Sequence, residues 1–468
     1  MAKQISQQTF DDVVRENMSE FDMDASEAVQ DAIQQFESQG VNLNCIVKEP
    51  SLYSTNEDGQ VLDHPVTSAL KKLSVTLDNS DINNTQVVEA LKSIQTECDS
   101  DFARRCLAGS SNAYPILYKA LLHYRDDPEH LKAVLKTFCS LVNGQPDLID
   151  DKGIELLICL FKNYQDVSDV LKLIIRAIRL NCLKHEKNRQ EFIQMNLIPM
   201  LTDLLTVQKS NPTIIKESCI CLRSLTLDDD VRVLFGKGSE NAKSMVSEGD
   251  ALRAVLQLCE EYKKDTSVLA ELFLTLSCLA IRDEFCHEVM DRGGVTLILN
   301  ACRNAIEDKN IVRQAMIVLK TLAGNDEVKH EIAKLGGIEL IVAVLDKYQN
   351  NALVAEAACK VLTTITLRNE DNCRKVVQCQ GHEYIVQVMK LHPKEIGVQK
   401  NACMALRNLV SRTKELTESI LPLGVESLLN EIINHHKEIE DEAKAALRDL
   451  GCKVELRELW KGEKGVIQ

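Results

Sequence analysis

Apolar residues recur in blocks along this chain, and each block begins in a similar way. The segments that open at Gly294, Gly337 and Gly381 read Gly-Val-Thr-Leu-Ile-Leu, Gly-Ile-Glu-Leu-Ile-Val and Gly-His-Glu-Tyr-Ile-Val. They lie 43 and 44 residues apart. Further copies open at Gly153, Leu197, Asp250 and Val425, with a degenerate copy near Ala113. A period of this length indicates a helical solenoid, in which each unit buries its apolar face on its neighbours.

One unit, which begins at Asn325, shows the elements that the period predicts. Asn325 is a favourable cap for a short first helix, and the pair Gly336-Gly337 ends that helix and turns the chain sharply. A second helix then extends to about Tyr348, and a third helix covers residues 352–365. Three helices with a glycine after the first differ from the two-helix HEAT pattern.

The third helix carries a repeated apolar signature. A small residue is followed by large apolar residues four and seven positions later, which places all three on one helical face. The small residue lets the neighbouring helix approach closely. The signature and its variants occur at Ala315/Leu319/Leu322, Ala358/Leu362/Ile365, Ala402/Leu406/Leu409, Ser218/Leu222/Leu225 and Leu272/Leu276/Leu279. Five copies, each about 21 residues after the start of its unit, predict a regular stack of helices.

The stretch from Asn401 reads Asn-Ala-Cys-Met-Ala-Leu-Arg-Asn-Leu-Val and resembles the third-helix consensus of the armadillo-repeat family. The resemblance covers about residues 113–455. Two N-terminal stretches, residues 7–17 and 35–41, are also similar to one particular member of that family. The resemblance implies a right-handed superhelix whose third helices line a concave groove for extended peptides.

The predicted fold is all-α, a right-handed armadillo-repeat solenoid (α-α superhelix) with an atypical helical N-terminal cap. The predicted domains are an acidic region of short helices and a linker (1–65), a helical cap that fits the repeat poorly (66–112), and about eight repeats, the last one capping (113–460). Within the acidic region, Ser26 is the expected cap of a second helix, and Lys48–Pro65 reads as the linker. This region is either a tail that docks loosely on the solenoid or a motif that binds another protein through its apolar stripe.

Composition restricts the partners. Aromatic residues make up only 4% of the chain, so aliphatic side chains must form the core. The net charge is −15, and residues 1–65 hold 13 acidic and 3 basic side chains, which leaves the repeats nearly balanced. Nucleic-acid binding is disfavoured, because phosphate contacts need a basic face. We expect a monomer that binds protein rather than nucleic acid or membrane, since no stretch approaches the length of a membrane span.

The 17 cysteines are scattered, without a Cys-x-x-Cys pair, and many occupy apolar helix positions. Zinc sites need paired ligands at fixed spacing, so no metal site is expected. The cysteines are interpreted as small hydrophobic residues in a reducing compartment. The N-terminal residues contain no apolar signal core. We therefore expect a cytoplasmic protein, with a nuclear location as the alternative, and no cofactor.

Armadillo proteins of the importin-α type carry a ladder of Asn and Trp side chains on their third helices. At the Asn position this chain has Ser224, Cys278, Thr321, Thr364 and Asn408, and at the Trp position it has Ile220, Leu274, Ile317, Lys360 and Met404. Only Asn408 matches. Ser, Thr and Cys cannot clamp a peptide backbone with two-sided hydrogen bonds as Asn does, so recognition of nuclear-import signals is not expected.

A row of basic residues is the candidate binding feature. Arg282, Arg368 and Arg412 lie four residues beyond the Asn position, which predicts a place one helical turn along on nearly the same face. The other candidate groove residues are Asn408, Lys360, and the flanking Arg223, Lys320 and Arg407. Arginine forks spaced by the repeat would grip the carboxylates of an extended acidic segment, and residues 1–65 are themselves a candidate occupant. Alternatively, these arginines complement the helix dipole and remain solvated.

The repeat that begins at Leu197 is about nine residues longer than its neighbours. The extra length is placed in residues 235–243, which form either an exposed loop or a partner-specific contact.

No nucleophile–base, metalloprotease or dinucleotide motif appears, so no catalytic residue is assigned and no enzyme is predicted. The predicted function is a non-enzymatic scaffold that binds a partner polypeptide along the concave third-helix groove. The alternative is a regulator of another protein, such as a co-chaperone or nucleotide-exchange factor that grips a folded domain.

Overall fold

The computed structural model of the chain describes residues 3–53, 63–79 and 81–454. Those residues fold into helices joined by short connections, with one isolated parallel bridge between Lys3 and Val41. The chain divides into two compact units, residues 1–241 and residues 242–468. The prediction of an all-α fold is confirmed.

The helices of the first unit are α1 (Gln7–Glu20), α2 (Ala25–Ser38), α3 (Pro65–Asp78), α4 (Asn84–Ser100), α5 (Phe102–Ser110), α6 (Ala113–His123), α7 (Pro128–Val142), α8 (Asp151–Asn163), α9 (Ser168–Cys182), α10 (Glu186–Gln194), α11 (Leu197–Val207) and α12 (Pro212–Leu225). The boundary between the two units falls within helix α13 (Gly238–Ser247). The second unit continues with α14 (Ala251–Glu261), α15 (Thr266–Leu279), α16 (Asp283–Asp291), α17 (Gly294–Asn304), α18 (Lys309–Leu322), α19 (Asp326–Lys334), α20 (Gly337–Lys347), α21 (Ala352–Thr366), α22 (Glu370–Gln378), α23 (Gly381–Leu391), α24 (Ile396–Ser411), α25 (Thr417–Ile420), α26 (Val425–His435) and α27 (Glu440–Asp449).

The N-terminal residues form a helical hairpin with its own core. Helices α1 and α2 bury an apolar cluster made by Phe10, Val14, Ala28, Val29, Ala32 and Phe36, which the chain after α2 closes with Val41, Leu43, Ile46 and Tyr53. The cap of α2 is Asp24, whose carboxylate accepts from the N–H groups of Ser26 and Glu27 at 2.8 and 2.9 Å. The prediction that Ser26 caps this helix is therefore wrong, because Asp24 lies two residues earlier. Of the predicted linker, residues 54–62 lie outside the described residues.

Residues 65–110 continue the helical stack. Helices α3 and α4 pack against each other, and α4 packs on α7 as α7 packs on α9. The interpretation of this stretch as an atypical N-terminal cap stays a prediction, and its sequence departs from the apolar signature. Eight such pairs follow, from α6/α7 to α26/α27.

Second helices begin directly after a residue in the left-handed backbone conformation. In seven repeats the residue before the second helix has φ between 50° and 78°: Asn112, Asn196, Asp250, Gly293, Gly336, Gln380 and Gly424. Gly337, the first residue of α20, has a different role. A Cβ there would lie 2.5 Å from Ile332 Cγ2 and 2.6 Å from the Ile332 carbonyl oxygen, so the end of the first helix packs against bare backbone. The glycine pair is confirmed as the turn between the first and second helices.

Third helices form the core of each unit. In the first unit α4, α7, α9 and α12 pack in succession, and in the second unit α15, α18, α21, α24 and α27 do the same. The small residues Ala315, Ala358 and Ala402 are fully buried, as are the leucines that follow them by four positions. The predicted third-helix signature is thereby confirmed, with α21 ending one residue later than expected.

The fourth residue of the short first helices is a hydrogen-bond donor to a carbonyl oxygen near the end of a third helix. The bonds are Arg105 Nε to Cys98 (2.9 Å), Arg189 Nη1 to Cys182 (3.0 Å), Asn241 Nδ2 to Leu225 (2.8 Å), Cys286 Sγ to Ala280 (3.2 Å), Lys329 Nζ to Leu367 (3.1 Å) and Cys373 Sγ to Thr366 (3.4 Å). The last carbonyls of a helix lack partners within it, so these side chains satisfy them. All 17 cysteines are free thiols and eleven are buried, but Cys139, Cys286 and Cys373 also donate to carbonyl oxygens and so are more than apolar filling.

The extra length of the Leu197 repeat lies between α12 and α13. Residues 226–237 connect these helices, whereas three residues suffice between α21 and α22. The prediction of residues 235–243 is correct for Phe235–Lys237 only, because the chain is helical from Gly238. Among the described residues, no helix is long and apolar enough to span a membrane, and no group of three His, Cys, Asp or Glu side chains could hold a metal ion.

Candidate partner-binding surface

The partly exposed side chains of α15, α18, α21 and α24 form one surface of the second unit, here called the third-helix face. The predicted ladder positions of these helices all have solvent access: Leu274, Ile317, Lys360 and Met404 in one row, and Cys278, Thr321, Thr364 and Asn408 in the other. In the first unit, Ile220 is half-buried on α12, but Ser224 is buried and bonds the Cys221 carbonyl oxygen at 2.6 Å.

Polar ladder side chains are used within the fold. Asn408 Nδ2 donates to the Thr363 carbonyl oxygen at 2.8 Å and so ties α24 to α21. The hydroxyls of Thr321 and Thr364 donate to carbonyl oxygens of their own helices at 3.3 and 3.0 Å. Asn408 therefore stabilises the stack, the two hydroxyls bond within their own helices, and peptide clamping of the importin-α type has no counterpart on this face.

The three predicted arginines lie beyond the third helices. Helices α15, α21 and α24 end at Leu279, Thr366 and Ser411. Arg282 then caps α16, Arg368 lies in the α21–α22 connection with φ 56°, and Arg412 follows the last residue of α24. The prediction that they lie one turn along the same helix is wrong, since the connection to the next helix starts first. Arg368 and Arg412 lie within two residues of a helix C-terminus, where a positive charge is favourable, whereas Arg282 lies at the N-terminus of α16.

The flanking basic residues differ in their pairing. Lys360 Nζ lies 2.5 Å from Glu356 Oε1, and Arg407 Nε donates to Asp449 Oδ2 at 3.0 Å. Burial opposes ionisation of Asp449, yet hydrogen bonds from Arg407 and Arg448 leave its pKa lowered. Arg407 thus joins α24 to α27.

Several other basic residues have charged groups that are exposed to solvent. Lys320 is exposed on α18, and Arg368 and Arg412 are exposed in their connections. Across the described residues, none of these three has an ion pair. Arg282 is 3.8 Å from Glu284, and Arg223 is half-buried on α12 in the first unit.

Sequence reasoning missed Arg313, which is half-buried on α18 four residues before Ile317. The sequence feature that could have revealed it is the summed charge of each third helix, rather than the residue type at single positions. Helices α18, α21 and α24 carry six basic residues and a single acidic residue, Glu356: the basic ones are Lys309, Arg313, Lys320, Lys360, Lys400 and Arg407. Helix α15 adds one acidic residue, Glu271, and no basic one, so the third-helix face is basic on a chain whose net charge is −15.

Comparisons with known proteins agree with this architecture. A family model described as ARMC6 matches residues 66–467, and one described as the armadillo repeat-containing protein 6 N-terminal domain matches residues 2–64. The boundary between the two matches falls at the start of α3.

Curated relatives match almost the whole chain. Armadillo repeat-containing protein 6 of Homo sapiens is 39% identical over 99% of this chain and 94% of its own length. The homolog of Drosophila melanogaster is 35% identical over 99% of this chain and 98% of its own length.

Solved structures share the fold. A crystal structure of an engineered protein covers 96% of this chain and is itself fully covered, with a TM-score of 0.65 at 19% identity. A structure concerned with a phosphorylation switch that controls the interaction between cadherin and beta-catenin has a TM-score of 0.57 at 16% identity, covering 94% of this chain and 80% of its own. These likenesses concern the fold alone.

Proposed function

This chain belongs to the armadillo repeat-containing protein 6 family, and from that premise we propose that it is a protein-interaction scaffold. Its binding surface is the third-helix face of the second unit, and its ligand there is an extended polypeptide rich in Asp and Glu. The observation that carries the proposal is the excess of six basic side chains over one acidic side chain on three successive third helices. A local positive potential on an acidic protein attracts acidic segments and disfavours others.

Unpaired cations are the expected anchors. Arg313, Lys320, Arg368 and Arg412 have no ion pair among the described residues, so a ligand carboxylate would not have to displace an existing partner. Arginine can hold a carboxylate with two parallel hydrogen bonds, which favours the three arginines over lysine. Lys360 and Arg407 already have partners and should contribute less.

Apolar side chains lie between these charges. Leu274 and Ile317 are half-buried and Met404 is exposed, so the face offers apolar contact area beside its basic groups. A peptide that alternates carboxylates with aliphatic residues would use both.

The test is a titration of the full chain with a fluorescein-labelled peptide of repeating Asp-Leu-Glu-Gly, followed by fluorescence anisotropy. Replacing Arg313 and Lys320 by Glu should weaken binding by at least about tenfold, because two attractive charges become repulsive. Added salt should weaken binding to the unaltered chain.

The control reverses two exposed lysines of the same unit, Lys264 and Lys394, which lie in turns between second and third helices. It changes the net charge equally, so binding should stay within about twofold of the unaltered chain if position matters. Equal losses in the two variants would show attraction by net charge alone and would contradict the proposal.

A further inference from the structure

The α12–α13 connection, residues 226–237, carries apolar side chains that face solvent. Val231, Leu234 and Phe235 are 95%, 94% and 89% exposed. Single exposed apolar residues are ordinary on protein surfaces, but three large ones within five residues are typical of an interaction site.

The base of this connection is held by a buried arginine. Arg189 of α10 is fully buried and donates through Nε to Glu186 Oε2 at 2.8 Å and through Nη1 to Asp229 Oδ1 at 2.5 Å. The other Asp229 oxygen accepts from the Lys184 N–H at 3.0 Å. A guanidinium with two charge-assisted hydrogen bonds fixes the start of the connection.

A second set of hydrogen bonds fixes the middle of the α12–α13 connection. Asp230 accepts from the Glu186 N–H at 2.9 Å and from Arg232 Nε at 2.8 Å, and Arg232 Nη1 donates to Asp147 at 2.6 Å. Hydrogen bonding to Arg232 keeps the pKa of Asp230 well below its usual range. The backbone on both sides of Val231 is therefore anchored, and the exposure of its apolar residues is a property of an ordered conformation.

A cavity lies beneath the apolar residues. It has a volume of about 200 Å³ and is lined by Glu186, Arg189, Asp228, Asp230 and residues 233–236. Arg189 lines it, and the buried Nη2 is the one nitrogen of this guanidinium without an acceptor among the described residues. A buried N–H group without a partner is costly, so this site lacks a hydrogen-bond acceptor that a ligand could bring.

We propose that residues 231–235 and this cavity form a second protein-binding site, which takes an extended peptide segment carrying an apolar side chain next to Lys or Arg. The apolar side chain packs on Leu234 and Phe235. A backbone carbonyl oxygen of the segment accepts from Arg189 Nη2.

The net charge around the cavity favours a ligand in which a basic residue adjoins the apolar one. The base of the connection holds five carboxylates, of Asp147, Glu186, Asp228, Asp229 and Asp230, against three cations, which are the guanidinium groups of Arg189 and Arg232 and the ammonium group of Lys237. A ligand cation would complement the excess negative charge, whereas an acidic segment would be repelled. This site therefore differs in ligand from the third-helix face and rests on no part of that proposal.

The experiment selects peptides from a random display library on the full chain. The expected result is enrichment of sequences in which an aromatic or aliphatic residue adjoins Lys or Arg. A synthetic copy of the enriched peptide should then lose at least about tenfold in affinity when Leu234 and Phe235 are both replaced by Ser, because buried aromatic and aliphatic anchors dominate such interfaces.

The matched control replaces Phe21 and Val207 by Ser. These residues of the same unit are 63% and 73% exposed, so the change removes a similar apolar area elsewhere on the surface. Affinity should stay within about twofold of the unaltered chain.

The peptide itself tests the arginine without disturbing the fold. An ester in place of the amide that follows the apolar residue weakens the carbonyl acceptor and should lower affinity several-fold. Added salt should lower it further.

Three results would overturn the proposal: a consensus without Lys or Arg, equal losses in the two double variants, or self-association of the chain that the Leu234→Ser/Phe235→Ser variant abolishes. The last would assign the apolar residues to a second copy of this chain.

Discussion

Two connections that hold the same place in their repeats solve the same problem with different chemistry. In the second unit, Lys329 at the fourth position of α19 bonds Asp326 Oδ1 at 2.7 Å and the Leu367 carbonyl oxygen of the α21–α22 connection at 3.1 Å. In the first unit, Arg189 at the fourth position of α10 bonds Glu186 and reaches Asp229 in the α12–α13 connection. Each buried cation therefore pairs with the first residue of its own helix and with the connection that follows the third helix of its repeat.

The two connections differ in their length and in the hydrogen bonds that their buried cations leave unmade. Three residues and a backbone carbonyl suffice for Lys329, whereas Arg189 is surrounded by carboxylates and keeps one nitrogen without an acceptor. The armadillo arrangement thus does not require a twelve-residue connection. The added length and its exposed apolar residues point to a role outside the fold.

The largest effect is expected from removing the two cations. Replacing Arg189 by Ala should lower the free energy of unfolding by about 3–5 kcal/mol, because it leaves the buried Glu186 and the half-buried Asp229 without their cation. Replacing Lys329 by Ala should cost only about 1–2 kcal/mol, since the side chain of Asp326 is solvated. Urea unfolding followed by circular dichroism measures both. Equal losses would show that the carboxylates around Arg189 contribute no more than the carbonyl at Lys329.

A second expected effect depends on pH. Hydrogen bonds from Arg232 lower the pKa of Asp230 in the folded chain below the value of 3.8 for a free aspartate. The ionised carboxylate therefore adds stability above that pH, and this contribution is lost as the pH falls from 3.8 through the folded pKa. Replacing Asp230 by Asn should cost about 1.5–3 kcal/mol at pH 7.

Urea midpoints of the two proteins, measured from pH 7 downward, should converge below pH 3.8. A difference that stays constant into the acid range would mean that the carboxylate charge is irrelevant to the connection.

These comparisons also separate what the sequence could predict from what it could not. The starts of the second helices and the third-helix signature follow from local periodicity, so the fold was predictable. The residue before each second helix is Asn, Asp, Gln or Gly, and the first two tolerate left-handed backbone well. The recurrence of a hydrogen-bond donor at the fourth position of the first helices was also predictable from the sequence. These donors are Arg105, Arg189, Asn241, Cys286, Lys329 and Cys373.

Hydrogen bonds and ion pairs between residues that are far apart in the sequence could not be predicted from it. Asn408 bonds a carbonyl 45 residues away, and Arg189 bonds a carboxylate 40 residues away. Whether a basic residue faces a ligand or an internal acid depends on such pairs, so Arg407 and Lys320 look alike in the sequence and differ in the structure. The positions of Arg282, Arg368 and Arg412 were misjudged because the apolar signature does not show where each third helix ends, at Leu279, Thr366 and Ser411.

A smaller effect is expected from exchanging the connections. Replacing residues 226–237 by Leu-Arg-Asn, as in residues 367–369, together with Arg189→Lys, should preserve the helical circular dichroism. Shortening the connection fourfold should by itself lower the entropy cost of loop closure by about 1 kcal/mol, which offsets part of the stability lost with the Asp229 and Asp230 hydrogen bonds. Loss of helical structure would show that the long connection is required for folding after all.

The smallest effect should come from the exposed residues themselves. Replacing Leu234 and Phe235 by Ser removes apolar surface that is already in water, so the free energy of unfolding should change by less than about 0.5 kcal/mol. Replacing the buried Leu222 of α12 by Ser is the contrasting variant and should cost at least about 3 kcal/mol. If the Leu234→Ser/Phe235→Ser variant instead unfolds at clearly lower urea concentration, these side chains pack within the fold, and the connection belongs to the architecture rather than to a binding site.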